Sequence, residues 1–504
     1  MAPTAGSNET VFPDLYCCTK LGDTQPLYDV KFYPWSTDKE DQIFAVCGTT
    51  DIFVCRLQLG SDPPYEILWW FKDPTRDHSY NTLVWTQDPI SGKPLVCFAG
   101  ANPKQVQFLD IESGERLKDR SLSGHGKGIN DLAVSPLSNS LIASASEDYT
   151  LRLWNIEPKF SKQPCVALFA GEGHRQPILA CSFHSKGRWM LSSGLDTAIC
   201  LWAIPNLQDL DRDDYESHVN PKVVYYPHFH STEIQDNYID NVVFYGDLIL
   251  SRSAKDQSDH TAENNIILWK VDGFNSSDDP PEEPPIPTSG ICTRSSFPHT
   301  ERSRGFQRLL TFDMPNTSRF YLRFGLLHQP DMRPILAMGS TNSKFHFWDL
   351  QKLEEGYDPS EQGMWAEKKQ TKKAGPRRGR KKGVATAVNK SNLDRLSELR
   401  HEGSIDQSDA TGGASGKSAA GGKSTASGTP ETSTTSASAP LERKYDLSDS
   451  FRGLKPNRHI VAKTGLSDKH FATTQIAWSP DGCWMVAVGD HGMMCIFHRD
   501  KSVV

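Results

Sequence analysis

Residues Gly124–Trp154 read GHGKGINDLAVSPLSNSLIASASEDYTLRLW, and residues Gly173–Trp202 read GHRQPILACSFHSKGRWMLSSGLDTAICLW. One pattern is written twice. Each copy opens on Gly-His, passes through two apolar strand-like segments, turns at an Asp and closes on a Trp six residues later. A unit this short cannot bury a core by itself, so repetition implies that neighbouring units stack. The polar residues have a physical reason to recur. His125, Ser144, Asp148 and Trp154, and again His174, Ser192, Asp196 and Trp202, can form a buried chain of donors and acceptors. Trp offers only an N–H, neutral His offers one donor and one acceptor, and Asp accepts from His and from turn amides. Buried polar groups need partners, so such a tetrad works as a unit and is structural, not catalytic.

This is the WD-repeat signature of a β-propeller blade. Weaker copies fill the rest of the chain. Blade one begins at Tyr28, blade two near Asn81, blade five at Tyr238 (ending at Trp269), blade six at Tyr321 (ending at Trp348 and Asp349), and blade seven at Thr474. With the clear pair as blades three and four, the expectation is an all-β, seven-bladed WD-repeat β-propeller. Blade seven shows only three strands, and Leu15–Lys20 is expected to supply its fourth and close the ring, which removes an exposed edge. The expected organisation is a disordered tail over 1–14, propeller over 15–365, a disordered linker over 366–440 and blade seven over 441–504.

Disorder in the linker follows from composition. Lys368–Lys382 (KKQTKKAGPRRGRKK) carries nine Lys/Arg, and the Gly/Ser/Ala/Thr-rich text after it has no aromatic residue. Such a segment cannot bury enough surface to offset chain entropy. Asn392–His401 places three leucines on one helical face, more simply a transient helix than a docking helix. The basic run admits three readings: a nuclear-import signal, a weak, salt-sensitive contact to nucleic-acid phosphates, or a solvated loop. Lys255–Glu263 and Gly273–Ser289 are smaller polar insertions. A net charge of −7 is unremarkable for the chain as a whole. No apolar run is long enough to span a membrane, and MAPTAGSNET is not a signal peptide. The eleven cysteines are odd in number, form no CxxC pair and mostly sit in apolar strand text. They read as buried thiols of a reducing compartment, not disulfides or metal ligands.

Enzyme motifs are missing. Gly416-Lys417-Ser418 and Gly422-Lys423-Ser424 would each need a Gly five positions before their own Gly to form a phosphate-binding loop, but Thr411 and Lys417 stand there. No HExxH or GxSxG occurs. A binding propeller is the expectation, with no cofactor and no metal.

Several segments resemble the Polycomb EED (extra sex combs) family: Gly-His-Gly at 124–126, LRLWNI at 151–156, EGHR at 172–175, NYIDNV at 237–242, GDLILSRS at 246–253, RFYLRF at 319–324 and FWDL at 347–350. The resemblance runs from about Gln25 to Arg499 and leaves out the linker and the first dozen residues. It implies a non-catalytic nuclear subunit of a Polycomb histone H3 lysine methyltransferase complex that supports transcriptional repression. Its partners would be a SET-domain methyltransferase subunit, a zinc-finger Polycomb subunit and a methylated histone H3 tail. Trimethyl-lysine would enter an aromatic cage at one mouth of the ring and stimulate the SET-domain subunit, which docks a helix on the opposite face. The alternative is a generic WD-repeat scaffold, such as a ubiquitin-ligase substrate receptor, without methyl-lysine recognition.

The resemblance also implies cage residues. Tyr28 stands where the family has a Phe, and Phe320 and Tyr321 stand where it has Trp and Tyr. Tyr80 is expected as the blade-two wall, although counting back from Trp85 without a gap gives Asn81. Either a one-residue bulge restores Tyr80, or this wall is built differently. Thr474 stands where the family has an Arg. The residue types suit the role, because aromatic faces attract a quaternary ammonium, by ~0.5–2 kcal/mol per ring.

Overall fold

The structure, a computed structural model, describes residues 11–23, 25–36, 41–206, 220–254, 265–300, 302–314, 316–355, 449–465 and 470–499. The strands form seven separate sheets, one per blade, each antiparallel through its four principal strands. The innermost strands are Asp29–Phe32, Ser79–Gln87, Ile129–Val134, Ile178–Phe183, Ile239–Tyr245, Gly325–Leu327 and Thr473–Trp478, for blades one to seven in order. Asp14–Lys20 pairs antiparallel with Met493–His498 as the outer strand of blade seven, so the two ends of the described chain close one sheet.

Stacking is visible in the core. Among the described residues, seven apolar clusters occur, and each is shared by two neighbouring blades. Leu153 and Phe169 of blade three pack with Met190 and Trp202 of blade four, for example. Alternate residues of each strand face opposite neighbours, which is why the strand text is apolar on both faces. Polar clasps join the innermost strands: the Leu83 amide donates to Asp29 (3.0 Å), the Leu132 amide to Thr82 (3.1 Å) and the Cys181 amide to Asp131 (2.9 Å).

The His, Ser, Asp and Trp side chains of blades three and four are linked by hydrogen bonds. The His125 imidazole bridges Asp148 (2.9 Å) and Ser144 (2.7 Å), and the Trp154 indole N–H donates to Ser144 (2.8 Å). His174 bridges Asp196 (3.1 Å) and Ser192 (2.8 Å), and Trp202 donates to Ser192 (2.9 Å). Blade five has a variant that sequence reading missed. Trp269 donates to Ser251 (3.1 Å), and Gln235 replaces His by donating to the same hydroxyl (3.2 Å).

Among the described residues, three short strands lie outside the four-stranded plan. Lys222–Val224, Thr293–Ser295 and Gly453–Leu454 add fifth strands to blades three, four and five. The chain leaves blade six through the short helix Leu350–Glu355, and beyond residues 356–448 Arg458–Val461 returns as its outer strand. The linker over 366–440, with Lys368–Lys382 and Asn392–His401, lies outside the described residues, as do Lys255–Glu263 and the first ten residues.

Candidate aromatic cage at the channel mouth

The innermost strands share a local irregularity that builds the mouth. In blades two, three, four, five and seven the register slips by one residue at the start of the strand, leaving Asn81, Asn130, Leu179, Asp240 and Thr474 as the extra residue. In blade one the Tyr28 amide donates to the Cys47 carbonyl (2.8 Å) while Asp29 also pairs with Cys47, so Tyr28 takes the same place. Such bulges re-aim side chains, and each of these lies at the start of an innermost strand.

Two blades put aromatic rings there. Tyr28 and Tyr321 lie edge to face, with centroids 6.3 Å apart and planes at 86°. The centroid of Phe320 is 5.9 Å from that of Tyr321. All three side chains are half-buried, in contrast to the sealed tetrad tryptophans.

Tyr321 is held under constraint. Its φ of 66° lies in the left-handed region, which a bulky side chain rarely adopts without support. The support comes from three directions. Its amide donates to Asp240 (2.8 Å), its hydroxyl donates across the channel to the carbonyls of Asn130 (3.0 Å) and Asn81 (3.2 Å), and the Arg323 guanidinium lies 4.7 Å from the ring centroid. Arg323 is itself buried and donates to Asp131 (2.7 Å) and the Leu179 carbonyl (2.8 Å). Burial pushes the Tyr321 phenol up, which keeps it neutral and a donor. Burial also raises the Asp29 carboxyl, against the opposing pull of Lys31 and Arg323.

Tyr80 is not part of this group, and the expectation that it forms the fourth wall is corrected. Its side chain is fully buried, its ring lies edge to face on Phe98 (4.8 Å), and its hydroxyl donates to Asp73 (2.5 Å) and Gln107 (3.1 Å). His78 also bonds Asp73 (2.8 Å), so blade two carries its own polar cluster around Asp73, built from its innermost strand and the loop before it, while Leu109 stands where blades three and four have the tetrad Trp. Hydrogen bonds from Tyr80 and His78 hold the Asp73 carboxyl down, to about 2, although burial alone would raise it. The bulge exists, but it leaves Asn81 at the mouth and turns Tyr80 into the blade. Thr474 is likewise occupied: its hydroxyl donates to the Leu27 carbonyl (2.6 Å), joining blade seven to blade one.

No group of three or more His, Cys, Asp or Glu side chains among the described residues could hold a metal ion. A cleft of about 540 Å³ is lined by residues that include Thr49, Lys72, Asp73 and Arg76.

Comparison with known proteins converges on one group. The WD domain, G-beta repeat, matches residues 118–155, 164–203 and 464–498. Polycomb protein EED of Chaetomium thermophilum is 41% identical over 66% of this chain and 58% of its own length, so the chain spans less than two thirds of that relative. Polycomb protein esc of Drosophila melanogaster is 27% identical over 64% of this chain and 70% of its own. Among solved structures, a humanized mutant of the Chaetomium thermophilum Polycomb Repressive Complex 2 bound to the inhibitor GSK343 contains a chain that superposes with a TM-score of 0.72. It is 30% identical, over 97% of this chain and 98% of that one. A chain of the same fungal complex with H3K27me3 and H3K27M superposes with a TM-score of 0.71 at 29% identity, over 97% and 98% of the two chains.

Proposed function

Because the chain belongs to the Polycomb EED family, we propose that it is a non-catalytic, nuclear, chromatin-binding subunit of a Polycomb histone H3 lysine methyltransferase complex, and that its channel mouth reads trimethyl-lysine. The observation that carries the reading is the convergence of Tyr28, Phe320 and Tyr321, from blades far apart in sequence, as half-buried rings at one opening. A quaternary ammonium gains from several ring faces at once and loses little on leaving water, whereas an unmethylated ammonium is strongly hydrated. A relative's complex with H3K27me3 supports a histone H3 tail as the ligand class. Asn81 replaces an aromatic wall on the blade-two side, so the cage is three rings and an amide.

The SET-domain methyltransferase subunit would dock on the opposite face, with the zinc-finger Polycomb subunit in the same assembly. Peptide binding would stimulate methylation only through a differential affinity for two states of that complex. The basic segment Lys368–Lys382 would serve import or weak nucleic-acid contact.

The test is a titration of trimethyl-lysine histone H3 peptides against the purified chain, with unmethylated peptides as controls. Saturable binding that requires methylation is expected. Equal or absent binding of the two peptides would favour a WD-repeat scaffold without methyl-lysine recognition.

A further inference from the structure

Two buried charges in blade five have no role in the blade itself. Arg252 and Asp240 form an ion pair with neither side chain exposed. Arg252 follows Ser251, the hydroxyl of the blade-five polar set, and the matching residues after Ser144 and Ser192 are Ala145 and Ser193. Asp240 occupies the bulge position held by Asn130 and Leu179 in blades three and four. Those blades fold with small or uncharged residues at both places, so the architecture does not require the pair. Stability is a poor reason for it as well. Desolvating two charges offsets most of their attraction, and apolar side chains of similar volume usually serve as well. Arg252 Nε and Asp240 Oδ1 also find no protein partner.

What the pair does is directional. Arg252 Nη2 donates to the carbonyls of Thr317 (2.7 Å) and Arg319 (2.9 Å), and Nη1 donates to Asp240 Oδ2. The same carboxylate oxygen accepts the Tyr321 amide (2.8 Å). One guanidinium fork and one carboxylate therefore fix three points of the segment 317–321, which carries Phe320 and the left-handed Tyr321. At its start the segment is tied by Thr341, which donates to the Asn316 carbonyl (3.0 Å), and Arg319 pairs with Asp490 of blade seven. We propose that Arg252 and Asp240 are positioning residues for the cage. They hold the 317–321 segment so that the rings of Phe320 and Tyr321 stand ready at the mouth before any ligand arrives. This rests on the trimethyl-lysine reading for its ligand. Preorganisation raises affinity by removing the ordering cost from the binding step.

The experiment compares wild type with Arg252→Lys, Arg252→Met and the double variant Arg252→Met/Asp240→Asn, which removes both charges and keeps an oxygen for the Tyr321 amide. Each is measured by amide hydrogen exchange and by titration with a trimethyl-lysine H3 peptide. The double variant should remain folded, lose protection only over 316–324 and bind the peptide about tenfold or more weakly. Arg252→Lys, which can still pair with Asp240 but cannot fork to both carbonyls, should fall between it and wild type. Folded variants with wild-type protection and affinity would overturn the proposal. Protection lost evenly around the ring would overturn it too, since that marks a brace of the fold. Failure of the wild type to prefer the methylated peptide would instead sink the reading of the mouth, and the exchange data would still report whether the pair holds the segment.

Discussion

Trp154 and Tyr321 are both large aromatic residues tied by hydrogen bonds to groups on other strands, but they solve opposite problems. Trp154 is sealed, and its indole N–H ends in a closed chain through Ser144, His125 and Asp148. Tyr321 is half-buried beside Tyr28 and Phe320, on a backbone conformation that costs energy to hold. The tetrad blades spend their polar groups on one another and leave nothing for a ligand. The mouth spends its polar groups, Asp240 and two carbonyls, on holding a ring in place and leaves ring surface open. A site of this kind keeps strain and exposure where a packed blade removes both.

The sharpest break of this comparison is Trp154→Ala. It opens a large cavity and leaves the Ser144 hydroxyl with His125 as its remaining tetrad partner, and a loss of ~3–5 kcal/mol is expected, read as a fall in chemical-denaturation midpoint. Little change would mean that the tetrad is ornamental.

Next comes Tyr80→Phe. Removing the hydroxyl leaves Asp73 and Gln107 short of a buried partner, for about 1–3 kcal/mol of stability, while peptide affinity should stay at the wild-type level. A folded variant that lost peptide binding would return Tyr80 to the cage.

Tyr28→Ala and Tyr321→Ala should show the reverse pattern. A weakening of trimethyl-lysine peptide binding by about tenfold or more is expected, with a nearly unchanged melting temperature for Tyr28→Ala. Calorimetric titration and thermal melting of the same samples would show whether the two properties separate.

A smaller effect concerns acid. Burial holds His230 and His346 down to about 4, below the ~6.5 expected of an unfolded chain. The unfolded state then binds more protons, so the stability these residues contribute is complete above pH ~6.5 and is lost as pH falls towards about 4. Melting temperatures taken between pH 7.5 and 5 should decline, and His346→Leu should flatten the decline. A flat wild-type profile would contradict neutral buried imidazoles. The smallest effect is expected from deleting 366–440. Loop-closure cost changes slowly with length, so the propeller should melt as before. An aggregated product would show that the segment belongs to the fold.

Much of the fold was legible because the polar tetrad imposes a fixed spacing that chance rarely reproduces, and because strands buried on both faces read as apolar runs. Blade five's polar set was harder to see, since a polar insertion separates Ser251 from Trp269 and Gln235 stands in for His. The fifth strands, two or three residues long, and the outer strand of blade six were not legible. Strand text that short and polar carries no periodicity, and its pairing is set by distant chain. Three of the four expected cage residues come together. The fourth failed at the bulge, because a one-residue slip sends alternate side chains to opposite faces and Tyr80 and Asn81 exchange roles. The other bulged strands hold the signal that would have found this. Aligning blade two on Asn130 and Leu179 places Asn81, not Tyr80, at the mouth.

The most direct measurement compares two H3 peptides that differ only in charge, one with trimethyl-lysine and one with its neutral carbon isostere, in which a tert-butyl group replaces the trimethylammonium. Shape and apolar area are nearly matched, so the difference isolates attraction of the cation to the rings of Tyr28, Phe320 and Tyr321. Binding about tenfold tighter for the ammonium is expected, the sum of modest contributions from several ring faces. Equal affinity for the two peptides would contradict a cation-reading cage and leave the mouth a merely apolar pocket.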